Sequence, residues 1–341
     1  AIIAWRDYRN GGGYSDIYSQ RVDSNGIVQW GQGILALNKA INNSRISMVS
    51  DGAGGVIVVE NVCSSQCDNI YAQKINLTGE LLWDSAGVKI CDTIYSQWRQ
   101  QIVSDGEGGA IIVWQDDRNG NNYDIYAQRV DVNGNALWQN NGIVVSSVPQ
   151  WQSEPNMVSD GSGGAIIVWQ DNRNGNSDIY AQRVDASGLT LWQSDGVPVC
   201  TANGVQGGMN QIKILPDNFG GAIINWWDFR SGDPDIYTQR INTSGLILWQ
   251  AGGIPVCNAV NWQAQPEAIV IDSNVVMTWV DSRNQNGTYL NGIYTQKISL
   301  AGVTEWPING VMLVDASAEI KEFPILAGTG DNIFVAWYAA V

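Results

Sequence analysis

One short element, DIYAQRV in its commonest form, returns six times along the chain, at residues 16–22, 69–75, 124–130, 178–184, 235–241 and 292–298. Its tyrosines, Tyr18, Tyr71, Tyr126, Tyr180, Tyr237 and Tyr294, are 53 to 57 positions apart. A period of that size with about four strand-like segments in each unit predicts propeller blades rather than a solenoid of smaller coils. No 3.6-residue periodicity outlasts a single turn, so the fold expected is all-β.

The third copy, residues 106–138, shows how one unit reads. Gly108 and Gly109 end a tight turn, and residues 110–114 (AIIVW) form an apolar, β-branched run of strand length. A polar loop, 116–123, leads into 124–131, whose mixed character suits a strand covered on both faces. Asn133 and Gly134 supply the positive-φ positions of a hairpin turn, and 136–138 open another strand. A full unit is therefore four antiparallel strands, a to d. In the fourth repeat they are expected near 156–159, at 165–169, at 178–185, and from Leu191 and Trp192 through 197–200. Each repeat also carries a tryptophan four residues after a turn glycine: Trp30, Trp83, Trp138, Trp192, Trp249 and Trp306. Placed in strand d, such a ring is expected to wedge between neighbouring sheets.

The repeats run approximately 1–43, 44–96, 97–149, 150–204, 205–260 and 261–316, with a partial repeat at 317–341, and are read as one domain. The chain opens in a strand b (1–5) and closes with a strand a (323–327) and another b (333–337). Six blades are the reading taken, the last strand a completing the first blade. A seven-bladed ring is the alternative, and under six blades the surplus strand suggests self-association through terminal strands. With no initiator Met or leader, the chain is read as a mature product or a fragment.

The chain has no histidine, which excludes His-based acid/base chemistry, Ser-His-Asp triads and His-ligated zinc. A formal charge of −15 argues against nucleic acid and anionic membranes as partners, and no apolar run is long enough to span a bilayer.

Four groups of residues invite a functional reading. After strand b, five of six repeats carry Trp-x-Asp-x-Arg or its near equivalent, with Asp7 and Arg9, Asp116 and Arg118, Asp171 and Arg173, Asp228 and Arg230, Asp281 and Arg283. Recurrence on this scale points to a structural ion pair. The alternative is Ca2+ on the hard oxygens of Asp116, Asp117, Asn119, Asn121 and Asp124. The second repeat replaces the pair with Cys63 and Cys67, read as a disulfide and hence as a sign of an oxidising compartment. Cys91, Cys200 and Cys257 are expected to be buried free thiols. Between strands d and a stand Trp98, Arg99, Gln150, Trp151, Gln152, Trp262 and Gln263, tryptophans flanked mostly by amides. That combination suits stacking on a sugar ring with hydrogen bonds to its hydroxyls. Nearby Glu154 and Glu267 are the carboxylates an acid/base pair would use. Asn42, Asn76, Asn242 and Asn286 head N-x-Ser/Thr sequons.

With its DGxGGAIIVWxDxR segments followed by DIYAQRVDxxGxxLW, the chain resembles the tandem propeller repeats of large secreted or surface-displayed bacterial proteins, mostly uncharacterised. The Gly188 to Trp192 spacing is also distantly similar to the tryptophan-docking turn of quinoprotein propellers. The resemblance implies a β-propeller and says almost nothing of activity. The expectation drawn is a non-catalytic, secreted or cell-surface interaction module without a cofactor, Ca2+ apart, whose partner is a glycan or a surface or matrix protein. A structural protomer of a filament and a polysaccharide-active enzyme are the alternatives.

Overall fold

The computed structural model describes residues 1–340 except 12–14, 41–45, 64–67, 121, 210, 285–290, 316–319 and 330–331. The described residues form strands and turns without an α-helix, and no helix is long and apolar enough to cross a membrane. Four antiparallel sheets have four strands each, in the order a-b-c-d, drawn from the third to the sixth repeats. The third repeat supplies Gln97–Ser104, Ala110–Asp116, Asp124–Val130 and Ile143–Ser146. The fourth supplies Gln152–Ser159, Ala165–Asp171, Asp178–Val184 and Val197–Cys200. The chain divides into two compact units, residues 1–167 with 182–196 and residues 168–181 with 197–341.

In the first unit, strands b and c of the third repeat are buried at nearly every position. This two-sided cover is why the sequence there reads as apolar runs without alternation. Its core joins Ile57, Val59, Ile70 and Trp83 of one repeat to Ile112, Trp114, Tyr126 and Val130 of the next. The first two repeats do not form separate sheets. Ile2–Asp7, Ser15–Arg21 and Ile34–Ala40 join the second repeat's strands through a pairing of Ala40 with Val62. In the other repeats the position of Val62 is the aspartate that ends strand b, which in the third repeat pairs with Gln97 of its own strand a instead. In the second unit, Ile223, Ile236 and Val256 pack with Val275, Met277 and Trp279. Ile320–Thr329 pairs with Asn332–Ala340 as a two-stranded sheet, whereas Ile2–Asp7 pairs with Ser15–Arg21.

The recurrent tryptophans sit in bends before strand d rather than in it; Trp138 follows an isolated bridge between Val130 and Ala136. Trp30, Trp83, Trp138 and Trp249 dock onto the following repeat as a wedge should. Trp83 Nε1 donates to Val132 O (3.0 Å) and Trp138 Nε1 to Ala186 O (3.1 Å). In the second unit Trp249 Nε1 donates to Leu300 O at 3.1 Å. The turn glycine of the next repeat lies flat on the ring: a Cβ on Gly188 would stand 3.0 Å from Trp138 Cγ, and one on Gly302 2.6 Å from Trp249 Cδ1. Any side chain there would lift the repeat off its neighbour.

Cys91, Cys200 and Cys257 are buried free thiols, and burial pushes the last two up to about 11 and about 12. Cys67, and with it the expected bond to Cys63, lies outside the described residues, as do Asn42 and Asn286. Asn76 and Asn242 close their turns, each Oδ1 accepting backbone N–H groups, from Thr78 and Glu80 and from Ser244 and Leu246.

Candidate functional site

The loop after strand b is a clamp. In the third repeat Trp114 Nε1 donates to Asp116 Oδ2 (2.7 Å), Arg118 Nη2 reaches the same oxygen (2.6 Å), and the guanidinium lies 3.5 Å over the Tyr126 ring. Arg118 also donates to Asn141 O at 2.8 Å. The fifth repeat repeats this with Trp226, Asp228 and Arg230, 4.0 Å over Tyr237. The recurrent Asp–Arg pairs are therefore structural, as expected. Asp124 Oδ2 meanwhile accepts from Asn119 Nδ2 at 2.6 Å. Burial pushes the Asp124 carboxyl up to about 6. A Ca2+ ion on this loop would have to displace Arg118 from Asp116 and Asn119 from Asp124. Among the described residues no cluster of acidic or thiol ligands of metal-binding geometry occurs.

The linkers from strand d to strand a are tied by glutamines that are fully buried. Gln152 Nε2 donates to Gln150 O (2.9 Å) and its backbone N–H to Tyr123 O (2.8 Å); Gln97 and Gln263 bind Tyr95 O and Asn261 O, each at 3.0 Å. Gln152 and Gln263 thus build the linkers and present no amide to a ligand. They also set the true alignment of the repeats. The residue two before each buried glutamine has positive φ: Tyr95 (73°), Gln150 (77°) and Asn261 (65°). Trp151 and Trp262 are therefore equivalent, and Trp98 is not, since Ser96 holds their position. Trp98 lies in strand a, paired with Gln115.

Trp151 is 53% exposed, while Trp98 and Trp262 are half-buried. Around Trp151 the first unit assembles a distinct surface. The ring meets Tyr123 edge-on with centroids 6.1 Å apart. Burial raises the Tyr123 phenol, and the charge of nearby Asp117, whose backbone N–H donates to Ser96 O (3.1 Å), raises it further. The Asp117 carboxyl is itself raised, by burial first and then by Asp116. Tyr95, half-exposed, stacks under Gly120. Strand a then bulges at Arg99 (φ 60°) and, one repeat on, at Glu154 (φ 52°). These two form an ion pair, Arg99 Nε to Glu154 Oε1 at 3.0 Å, and the Glu154 N–H donates to Gln115 Oε1 at 3.0 Å. These neighbouring elements thus supply an exposed indole, two phenols, one carboxyl inclined to hold its proton and a second, mostly buried carboxyl paired with an arginine. Glu267 does not join it: it lies in the second unit, bound to Lys213 at 2.9 Å with both side chains over a third exposed.

No known protein family matches the chain, and no curated protein is similar to it in sequence. Its fold, however, is of the β-propeller type. A polysaccharide lyase of a new family, an ulvan lyase bound to a glucuronic acid–sulfated rhamnose unit, superposes with a TM-score of 0.55 at 11% identity, covering 94% of this chain and 82% of that one. The same lyase without the sugar gives 0.53 at 9% identity, with the same coverage. An α-L-arabinanase from Penicillium chrysogenum complexed with arabinobiose is more distant, at a TM-score of 0.46, 10% identity, and 76% and 80% coverage. The two lyase structures overturn the expectation of a non-catalytic interaction module as a consequence of this fold, because an enzyme is built on it. That expectation rested on the missing histidine and on the lack of a recognisable catalytic constellation, and the first of these excludes only His-based chemistry.

Proposed function

We propose that this protein acts on polysaccharide, binding a sugar ring against Trp151 and working on the adjacent glycosidic bond with Asp117 and Glu154. The observation that carries the reading is the exposed Trp151 ring against half-buried Tyr123, beside Asp117. It is supported by the fold shared with a polysaccharide lyase. Hydrolysis between sugars is commonly carried out by two carboxyls, one that gives a proton and one that is ionised. Burial and the Asp116 charge keep the proton on Asp117 to higher pH than on an exposed aspartate, which suits it as the acid. Glu154, oriented by its ion pair with Arg99, is the second carboxyl of the pair and takes the role of base or nucleophile. Tyr95 and Trp98 border the same surface and would carry neighbouring sugars. A charge of −15 disfavours anionic polymers, so the substrate class is a neutral polysaccharide, and the place of action is outside the cell. Ile2–Asp7 and Asn332–Ala340 each pair on one side only among the described residues, and self-association through them is read from light scattering of the same preparation.

The test is release of reducing ends from a panel of neutral and uronate-containing polysaccharides, with ultraviolet absorbance scored for unsaturated products. Asp117→Asn and Glu154→Gln should each lower turnover by about two orders of magnitude or more, and Trp151→Ala should raise KM. Absence of turnover on every polymer by the folded protein sinks the proposal. Full activity of both carboxyl variants would move the site elsewhere.

A further inference from the structure

Each unit carries one incomplete blade, and the two lack different strands. In the first unit Ile2–Asp7 is a strand b whose only partner among the described residues is the strand c Ser15–Arg21. Between it and strand a of the second repeat, Ser47–Ser50, lies a cavity of about 380 Å³, lined in part by Ala1, Ile2, Met48 and Val49. The next two strands a meet directly, Ser47 Oγ donating to Gln100 O at 3.0 Å. The clamp aspartates register the difference. The side chains of Asp116, Asp171, Asp228 and Asp281 are fully buried, while that of Asp7 is 17% exposed. In the third and sixth repeats the aspartate stands opposite a buried glutamine of strand a, Gln97 or Gln263. Among the described residues no strand a pairs with Ile2–Asp7.

In the second unit Ile320–Thr329 is a strand a with a poor partner. It is anchored on the sixth repeat: Phe323 N–H donates to Gln265 Oε1 (2.5 Å), and a Cβ on Gly328 would stand 2.8 Å from Ile269 Cδ1. Its strand b, Asn332–Ala340, leaves Phe334, Trp337 and Tyr338 exposed, whereas strand b of the third and fourth repeats is buried throughout. The pairing sets Leu326 opposite Val335, Glu322 opposite Tyr338 and Lys321 opposite Ala339. Trp337 aligns with Trp5, so the same register on Ile2–Asp7 sets Leu326 opposite Ile3, Glu322 opposite Arg6 and Lys321 opposite Asp7. Lys321 then takes the place that Gln97 and Gln263 hold before their aspartates. Two pairs without charge complementarity become two pairs of opposite charge, which attract across a ladder. Arg6 also binds Glu60 at 2.7 Å, and a guanidinium has donors enough for both carboxylates.

We infer that Ile2–Asp7 of one copy takes up Ile320–Thr329 of a second copy as its strand a, displacing Asn332–Ala340 of that second copy. The inference rests on the self-association proposed above and names its strands and register: a strand a joins a strand b, and two strands b do not meet edge to edge. Backbone hydrogen bonds supply the affinity, and the two charge pairs with the alternating apolar face select the register. The blade so formed has the a-b-c-d order of its neighbours.

The experiment mixes full chains carrying one added cysteine each and scores disulfide-linked dimers on non-reducing gels, beside light scattering of the unaltered protein. Ile3→Cys mixed with Leu326→Cys should give a linked dimer that neither chain gives alone, because Cβ atoms directly opposite lie ~5 Å apart. Ile3→Cys mixed with Ala327→Cys should not, since one residue of shift turns the side chain to the other face. Glu322→Lys, which sets like charges opposite each other at Arg6, should weaken association about threefold. A protein that is monomeric at high concentration sinks both this inference and the self-association on which it rests. An assembly that links neither mixture, links the shifted one equally, or is not weakened by Glu322→Lys overturns the strand assignment alone. So does a chain carrying both Ile3→Cys and Leu326→Cys that bonds within itself while the mixture of single variants stays unlinked.

Discussion

The third and fifth repeats are built alike and furnished differently. In both, a tryptophan and an arginine hold one buried aspartate, a tyrosine receives the guanidinium, and a glycine faces the tryptophan edge. On the surface above, one carries carboxyls and the other aromatic rings. The clamp supplies rigidity at residues that point inward, so the outward residue between its aspartate and arginine is released from any duty to the fold. Scaffold and chemistry are separable here, and each can be challenged on its own.

The strongest challenge is to the scaffold. Asp116→Ala and Asp228→Ala should each destabilise by about 2–4 kcal/mol, since each strands a partly buried arginine and a buried indole N–H. Denaturant titration checks this, and unequal costs in the two repeats would break the equivalence. Next in size, a Cβ on Gly142 would stand 2.5 Å from Trp114 Cη2, and one on Gly253 2.4 Å from Trp226 Cη2, both at positive φ. Gly142→Ala and Gly253→Ala should each cost about 3 kcal/mol. Melting temperatures that fall for one and not the other would show that the rings are not equally fixed.

A smaller effect sharpens the comparison through pH. The Asp124 carboxyl is raised by burial to about 6, while Asp235, which accepts from Ser231 in the fifth repeat, is raised less. A carboxyl with a raised folded-state pKa favours folding most when protonated. Its contribution is complete below about pH 4, the unfolded value, and is lost as pH rises through about 6. The loss should amount to about 1–2 kcal/mol after allowance for solvent screening. Asp124→Asn should flatten the stability profile between those pH values. A profile identical to that of the unaltered protein would place the titrating group elsewhere.

Much of the fold was legible because its determinants recur. Gly134 and Gly188, the docked Trp138 and the Asp116–Arg118 pair were all identifiable from repetition. What repetition conceals is register. Trp98 follows a glutamine as Trp151 does, yet the buried amides of Gln97 and Gln152 fix the alignment and place it two residues away. The bulges at Arg99 and Glu154 carry left-handed φ on residues that give no such signal, unlike a glycine. Glu154 and Glu267 are not equivalent for a related reason: one is a bulge residue and the other lies further along its strand, opposite Thr278. The candidate site was half visible, through Trp151 and Arg99. Asp117 was grouped with the metal oxygens because sequence alone does not distinguish the aspartate that is clamped from the one beside it.

That adjacent position deserves a last comparison across the chain: Tyr8, Asp117, Asn172, Phe229 and Ser282 occupy it in successive clamps. A phenol, an acid, an amide, a phenyl ring and a hydroxyl have been accepted in one socket without change to the aspartate and arginine on either side. Such a socket behaves like a keyboard on which one key can be changed at a time. Gene duplication supplies copies that already fold, and a single codon in each then decides whether its face stacks, donates a proton or merely braces a neighbour, as Ser282 braces Trp262. Randomising the five codons together would sample new binding specificities with little risk to folding, except at Ser282, where the side chain has been taken back into the structure.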